Sequence, residues 1–319
     1  MMTPAMGALR FAFPDATIVV AAHSRVADLF RPHPYCDDVM VYDRPGRHRG
    51  ILGVVRFAAE LRRERFDLAI LFQNAAEAAI LAWLAGIPQR AGYHTDLRRP
   101  LLTHGVPVGD DERRLHHTQY YRHMLEALGI LGGDGALRLA CSVEEQEWAG
   151  ETLGPGRWIA IHPGASYGSA KRWFPERFAA VADQLAGRYD ARIVLVGGPD
   201  VADAGRCMED SMMHRPFNLV AKTSLRQLMA VIQKCRLLVT NDSGPMHVGA
   251  ALGVPIVAVF GPTDHTTTSP FTPKCRIVRK SVDCAPCLKR HCPTDHGCML
   301  AITAEDVFQA AVDLLDNRS

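Results

Sequence analysis

The sequence predicts an α/β protein made of two domains in tandem, each a parallel sheet covered on both faces by helices. Three observations carry this. Short β-branched runs recur along the chain with helical patterns between them, in the order βαβα, and runs that are apolar from end to end belong to strands buried on both faces. The chain has 319 residues, enough for two ordinary cores and large for one. A turn of Gly154-Pro155-Gly156 interrupts the pattern near its middle.

In the first half, strands are expected near 17–21, 39–42, 68–72 and 90–92, with helices near 4–13, 52–65, 77–85 and 118–128. A helix over 141–153 runs up to the turn. Beyond it, strands are expected near 158–161, 192–196, 237–240 and 256–260, separated by helices near 175–189, 224–233 and 245–252, with a last helix over 304–315. Placing the boundary at the turn gives domains of residues 1–153 and 154–319.

A composition of 48% hydrophobic and 22% charged residues excludes disordered and fibrous classes. No apolar run approaches the roughly 20 residues that a membrane helix needs. Met1 to Arg10 lacks the pattern of a secretory signal, so a cytoplasmic address is expected. The net charge of +2 gives no sign of a nucleic-acid partner. Arginines do crowd one segment, at 44, 47, 49, 56, 62, 63 and 65, and 274–290 is basic too. Such patches suit phosphorylated or membrane-surface substrates; pairing with Glu60 and Glu64 on a solvated helix face accounts for the first equally well.

Tandem βα domains suit a dinucleotide-dependent dehydrogenase or a transferase. The dehydrogenase needs G-x-G-x-x-G between its first strand and helix, where glycines let the backbone approach a pyrophosphate. No such triplet occurs.

The strongest chemical signal is the end of the strand at 237–240, where Asn241-Asp242-Ser243-Gly244 leads into Pro245. Asp242 or Ser243 is placed to cap the next helix, Gly244 lets a ligand come close, and Pro245 suits a first helical turn. The free N–H groups and dipole of that helix would hold a diphosphate, with His247 one turn in. Read alone, Asp-Ser-Gly is as well explained as a simple cap with a packed histidine. A second strand end, His162-Pro163-Gly164-Ala165-Ser166, is followed by Lys171-Arg172-Trp173. A lysine there can neutralise charge building on a departing diphosphate, although Lys171-Arg172 alone reads as a surface pair. A third, Gly197-Gly198-Pro199-Asp200, offers a flat place for a nucleoside and a carboxylate for ribose hydroxyls. Ligands bind beyond the carboxyl ends of parallel strands, so the three loops converge on one crevice.

His162-Pro163-Gly164-Ala165 with Ala170-Lys171-Arg172-Trp173, then Val239 to His247 and Phe260-Gly261-Pro262-Thr263, resemble the ADP-heptose:lipopolysaccharide heptosyltransferases of glycosyltransferase family 9, most of all the heptosyltransferase II group. The resemblance implies a GT-B fold of two facing Rossmann-like domains, the N-terminal one binding acceptor and the C-terminal one binding donor. It implies inverting, metal-independent transfer of heptose from ADP-heptose to the lipid A–Kdo/heptose inner core of lipopolysaccharide, at the inner face of the inner membrane and with no catalytic cofactor. The chain holds no D-x-D pair of the kind metal-dependent glycosyltransferases use. By resemblance, Ser166, Lys171, Asp200, Asp242, Ser243, Gly244 and His247 bind the ADP-sugar, and Lys171 also stabilises the leaving group.

One departure matters. Members of the family begin with a strand and a Gly-Asp loop, whose Asp is taken as general base, before a segment resembling Met-Thr-Thr-Pro-Ala. This chain opens at Met1-Met2-Thr3-Pro4-Ala5, so the first strand and the base are expected to lie upstream of Met1. The alternatives are a nucleotide-binding protein without catalysis and a related transferase using another nucleotide sugar.

Nine cysteines are many for such a compartment. Within 275–298, Cys284-x2-Cys287-x4-Cys292-x5-Cys298 has ligand spacing, and four thiolates could close a tetrahedral structural zinc site. Free or redox-labile thiols and disulfides remain the other readings, with His291 and His296 as competing ligands.

Overall fold

The computed structural model describes residues 1–316 and divides the chain into two compact units, Met1–Arg138 and Leu139–Ser319. In the first unit the strands are β1 (Val19–His23), β2 (Asp38–Tyr42), β3 (Leu68–Leu71), β4 (Gln89–Tyr93) and β5 (His104–Val106). Its helices are α1 (Thr3–Ala12), α2 (Gly50–Arg63), α3 (Ala76–Leu84), α4 (Asp110–Arg114) and α5 (His117–Ala127). All pairing is parallel, in two separate sheets, β1-β2 and β3-β4-β5. Ala5, Ala8 and Leu9 of α1 share one core cluster with Tyr120, Met124 and Leu125 of α5. Phe57 and Leu61 of α2 share another with Leu81 and Ala82 of α3.

The second unit holds β6 (Arg157–His162), β7 (Ala191–Leu195), β8 (Phe217–Asn218), β9 (Leu237–Asn241), β10 (Ile256–Val259) and β11 (Cys275–Val278). Its helices are α6 (Val143–Leu153), α7 (Pro175–Tyr189), α8 (Ala202–Ser211), α9 (Leu225–Lys234), α10 (Gly244–Ala251), α11 (His265–Thr268), α12 (Gly297–Leu300) and α13 (Ala304–Asp316). The sheet is entirely parallel in the order β11-β10-β9-β6-β7-β8. From β6 the chain builds outward to β8, then returns to the other side of β6 for β9. Successive loops part at that reversal, and the crevice beyond the strand ends is where such sheets take ligands. Ile159, Ile161, Val239 and Val257 on the strands meet Val181 and Leu185 of α7 and Val307 and Ala311 of α13 in the core.

The boundary differs from the expected one. Ser142 and Glu145 form a capping box at the start of α6. Arg226 of α9 then takes both Glu145 oxygens, at 2.7 and 2.5 Å, and the Ala140 carbonyl at 2.8 Å. These bonds fasten α6 to the second unit, so Gly154 is an internal turn of it. Among the described residues no helix is long and apolar enough to cross a membrane.

Candidate functional site

The sheet reversal sets the β6 and β9 loops side by side. β6 ends on His162 and β9 on Asn241, both buried. Asn241 clamps the β6 loop at two points: its Nδ2 donates to the Pro163 carbonyl at 2.8 Å, and its Oδ1 accepts from the Trp173 N–H at 3.1 Å. His162 ties the same loop to the end of β7 by donating from Nδ1 to the Val196 carbonyl at 2.9 Å. Burial holds the His162 imidazole below its ordinary pKa, in the neutral form.

The clamp delivers Lys171 to Asp242. Lys171 Nζ lies 2.6 Å from Asp242 Oδ2, with the lysine side chain 13% and the aspartate 5% exposed. The same carboxylate oxygen accepts from the Thr263 hydroxyl, in the loop after β10, at 2.6 Å. Two charges drawn this far out of water need each other and a further donor, and Thr263 supplies it. Lys171 Nζ also stands 4.8 Å over the Tyr167 ring.

Neither Asp242 nor Ser243 caps α10, contrary to the sequence expectation. Ser243 occupies the N-cap position without a side-chain capping bond; its hydroxyl lies 3.2 Å from Thr240 Oγ1 and 3.2 Å from the Asn241 carbonyl. Asp242 is spent on Lys171 and Thr263. The start of α10 is therefore without a side-chain cap. Gly244 is exposed there, and a Cβ added to it would meet nothing within 4 Å. An anion can approach the backbone N–H groups at that point. His247, half-buried, follows in the next turn of α10.

Ser166 and Asp200 also meet, Ser166 Oγ donating to Asp200 Oδ2 at 3.2 Å, and both are exposed. Asp200 sits on a short helical turn over Pro199–Val201 directly after β7. Gly197 before it has φ +151°, and a Cβ would crowd the His162 ring. Sequence reasoning placed every one of these residues at a strand end. It passed over Asn241 as a clamp, although an amide ending a fully buried strand must find partners, and Thr263 as a partner of Asp242.

The cysteine segment lies against this site. Cys275 is on β11, Cys284, Cys287 and Cys292 lie in the stretch before α12, and Cys298 is on α12. Of the four in the spaced motif, Cys298 is buried; burial first, then the neighbouring Cys284, Cys287 and Cys292 thiols, raise its pKa. Cys292 bonds Thr294 at 3.4 Å, which pulls its thiol the other way. All nine cysteines are free thiols, and among the described residues no three His, Cys, Asp or Glu side chains are gathered to hold a metal. Cys298 is packed into the core with the Cys284, Cys287 and Cys292 thiols near it, and Cys292 also meets Thr294.

The segment also braces the Lys171 loop. The Arg290 carbonyl accepts from the Ala170 N–H at 3.0 Å, the Ala170 carbonyl lies 2.7 Å from His296 Nε2, and Ser169 Oγ is 3.0 Å from His291 Nδ1. Tyr167 donates its hydroxyl to the Leu288 carbonyl at 3.1 Å, with the Arg290 guanidinium 5.2 Å from its ring. Gly168 is the residue at the closest approach: a Cβ there would collide with the Arg290 carbonyl.

The family model for glycosyltransferase family 9 (heptosyltransferase) matches residues 54–297. A lipooligosaccharide heptosyltransferase 2 from Campylobacter jejuni serotype O:2 is 30% identical, over 99% of this chain and 94% of its own length. The solved structure of a glycosyl transferase family 9 protein from Veillonella parvula superposes with a TM-score of 0.87 at 29% identity, covering 98% of this chain and 92% of that one. That of Escherichia coli ADP-heptose LPS heptosyltransferase II gives 0.81 at 26% identity, covering 100% and 96%. With parallel-sheet units, a crevice at the sheet reversal and a family match over most of its length, the chain belongs to glycosyltransferase family 9, the heptosyltransferases.

Proposed function

We propose that this protein transfers heptose from ADP-heptose to the lipid A–Kdo/heptose inner core of lipopolysaccharide, with inversion and without a metal, at the inner face of the inner membrane. The second unit takes the donor and the first unit the acceptor. The observation that carries the reading is the Lys171–Asp242 pair beside the uncapped start of α10. The named activity of the Campylobacter relative and the named donor of the E. coli one supply the sugar.

In this reading the diphosphate lies at Gly244. The acceptor hydroxyl attacks the anomeric carbon from the face opposite the diphosphate and gives its proton to a base; as the bond from the sugar to the β-phosphate oxygen breaks, negative charge builds on that phosphate. The Lys171 ammonium and the backbone N–H groups of α10 stabilise it, the part a divalent ion plays elsewhere. Asp242 and Thr263 hold the lysine in place. Ser166 and Asp200 take polar edges of the donor, and His247 lines the sugar side of the diphosphate pocket.

The test is ADP release from ADP-heptose by the full chain, with mass analysis of a deep-rough lipid A–Kdo acceptor. Acceptor-dependent release and the mass of one added heptose, undiminished by chelator, are expected. Tight ADP binding with no turnover would leave a nucleotide-binding protein. Turnover with a different nucleotide sugar alone would move the chain to a related transfer.

A further inference from the structure

Helix α2 is apolar on two opposite faces. The inner face is ordinary, with Gly53, Phe57, Ala58 and Leu61 buried. The outer face is not: Ile51 is 83%, Leu52 85% and Val55 51% exposed. At about 100° per residue these three share one arc, away from Phe57 and Leu61, and the exposed Ala59 continues it. Their burial contributes nothing to the core of the unit, and a contiguous exposed aliphatic patch on a folded protein marks a contact surface.

The rim of the patch is cationic. Arg47 and Arg49 lead into the helix and Arg56 and Arg63 flank its outer arc, all exposed, while the neighbouring Arg44 pairs with Glu77 at 2.7 Å. The single acid of α2, Glu60, is engaged by Arg47 at 2.5 Å and by His48 at 3.3 Å, so no carboxylate of the helix offsets Arg49, Arg56 or Arg63. An aliphatic centre within a guanidinium rim is complementary to an anionic bilayer surface, whose acyl boundary takes the one and whose phosphates take the other. A protein partner of ordinary polarity would need acidic groups in matching places; a lipid surface supplies phosphates wherever the arginines fall.

We propose that the first two turns of α2 dock this protein onto anionic phospholipid membranes, Ile51, Leu52 and Val55 entering the headgroup–acyl boundary and Arg49, Arg56 and Arg63 binding lipid phosphates. The attachment rests on no step of the transfer reaction. The test is sedimentation of the full chain with vesicles of phosphatidylglycerol mixed into phosphatidylcholine and with vesicles of phosphatidylcholine alone, neither donor nor acceptor being present. The protein should pellet with the mixed vesicles, release at high salt, and stay in solution with the neutral ones. Ile51→Ser/Leu52→Ser and, separately, Arg49→Gln/Arg56→Gln should each lower partition at least about tenfold, with turnover on detergent-dispersed acceptor unchanged. The arginine pair keeps the test open if the serine pair fails to fold. Wild-type protein left in solution with mixed vesicles overturns the proposal, as do variants that bind like wild type. Sedimentation velocity covers the other occupant: a wild-type dimer that the serine pair converts to monomer would make the face a contact between copies and overturn the proposal as well.

Discussion

Lys171 Nζ and Asp242 Oδ2 stand 2.6 Å apart at the sheet reversal of the second unit, brought together by loops that follow β6 and β9. Both are largely withdrawn from water, and each is the other's ion-pair partner. Removing the ammonium alone, as in Lys171→Met, leaves a buried carboxylate with only Thr263 and should cost about 3–5 kcal/mol of stability. Transfer should fall about a hundred- to a thousandfold. The double variant Lys171→Met/Asp242→Asn should recover most of the stability in urea unfolding and none of the turnover. Recovery of both would show that the pair is structural.

Asn241 should behave differently, because it touches backbone groups only. Asn241→Ala unpairs the buried Pro163 carbonyl and Trp173 N–H, at about 1–3 kcal/mol each. The loop carrying Lys171 loosens with them, so the donor KM should rise as the urea midpoint falls. A variant with a lowered midpoint and an unchanged donor KM would separate the clamp from the site.

His296 reaches the Ala170 carbonyl from outside the sheet. His296→Ala should cost about 0.5–1.5 kcal/mol of stability, one hydrogen bond's net worth, and raise the donor KM more than it lowers kcat. A change in kcat alone, with KM intact, would count against a positioning role.

His162 gives a pH dependence whose sign follows from its burial. Its folded pKa is depressed below the ordinary 6.5, so beneath that value the unfolded chain takes up a proton that the native imidazole refuses. Stability is full above 6.5 and falls as the pH drops below it, by up to about 1.4 kcal/mol per pH unit from this group. His162→Asn, whose amide can still donate toward Val196, should flatten that part of the profile in thermal unfolding. An unaltered slope would assign the acid sensitivity elsewhere.

Much of this fold is legible in the residues. Helix α7 opens on Pro175 and closes at Tyr189 as its pattern predicts, and β9 and β10 are the fully buried runs expected of central strands. The missed elements lack such signals. β8 has two residues and β11 four, both at sheet edges, and α8 buries only Gly205 and Met208. At the site, strand-end chemistry singles out Lys171, Asp242 and Gly244, but sequence carries no record of pairing across the sheet. The contacts of Asp242 with Lys171 and Thr263 are therefore not legible in the sequence, and the capping role expected of Asp242 is not met. The cysteine spacing suggests a structural metal, and gives no sign of the segment's contacts with Tyr167, Ser169 and Ala170.

Those contacts also order the protein in time. Ala170 is held by Arg290 and His296, and the Trp173 indole donates to the Ile302 carbonyl at 3.1 Å. On the ribosome, the β6 loop emerges long before these partners and stays unfinished until nearly the last helix has been made. A nascent chain stalled before Arg290 should carry the β6 and β9 loops and still fail to grip a nucleotide, so that donor binding becomes a late checkpoint of synthesis.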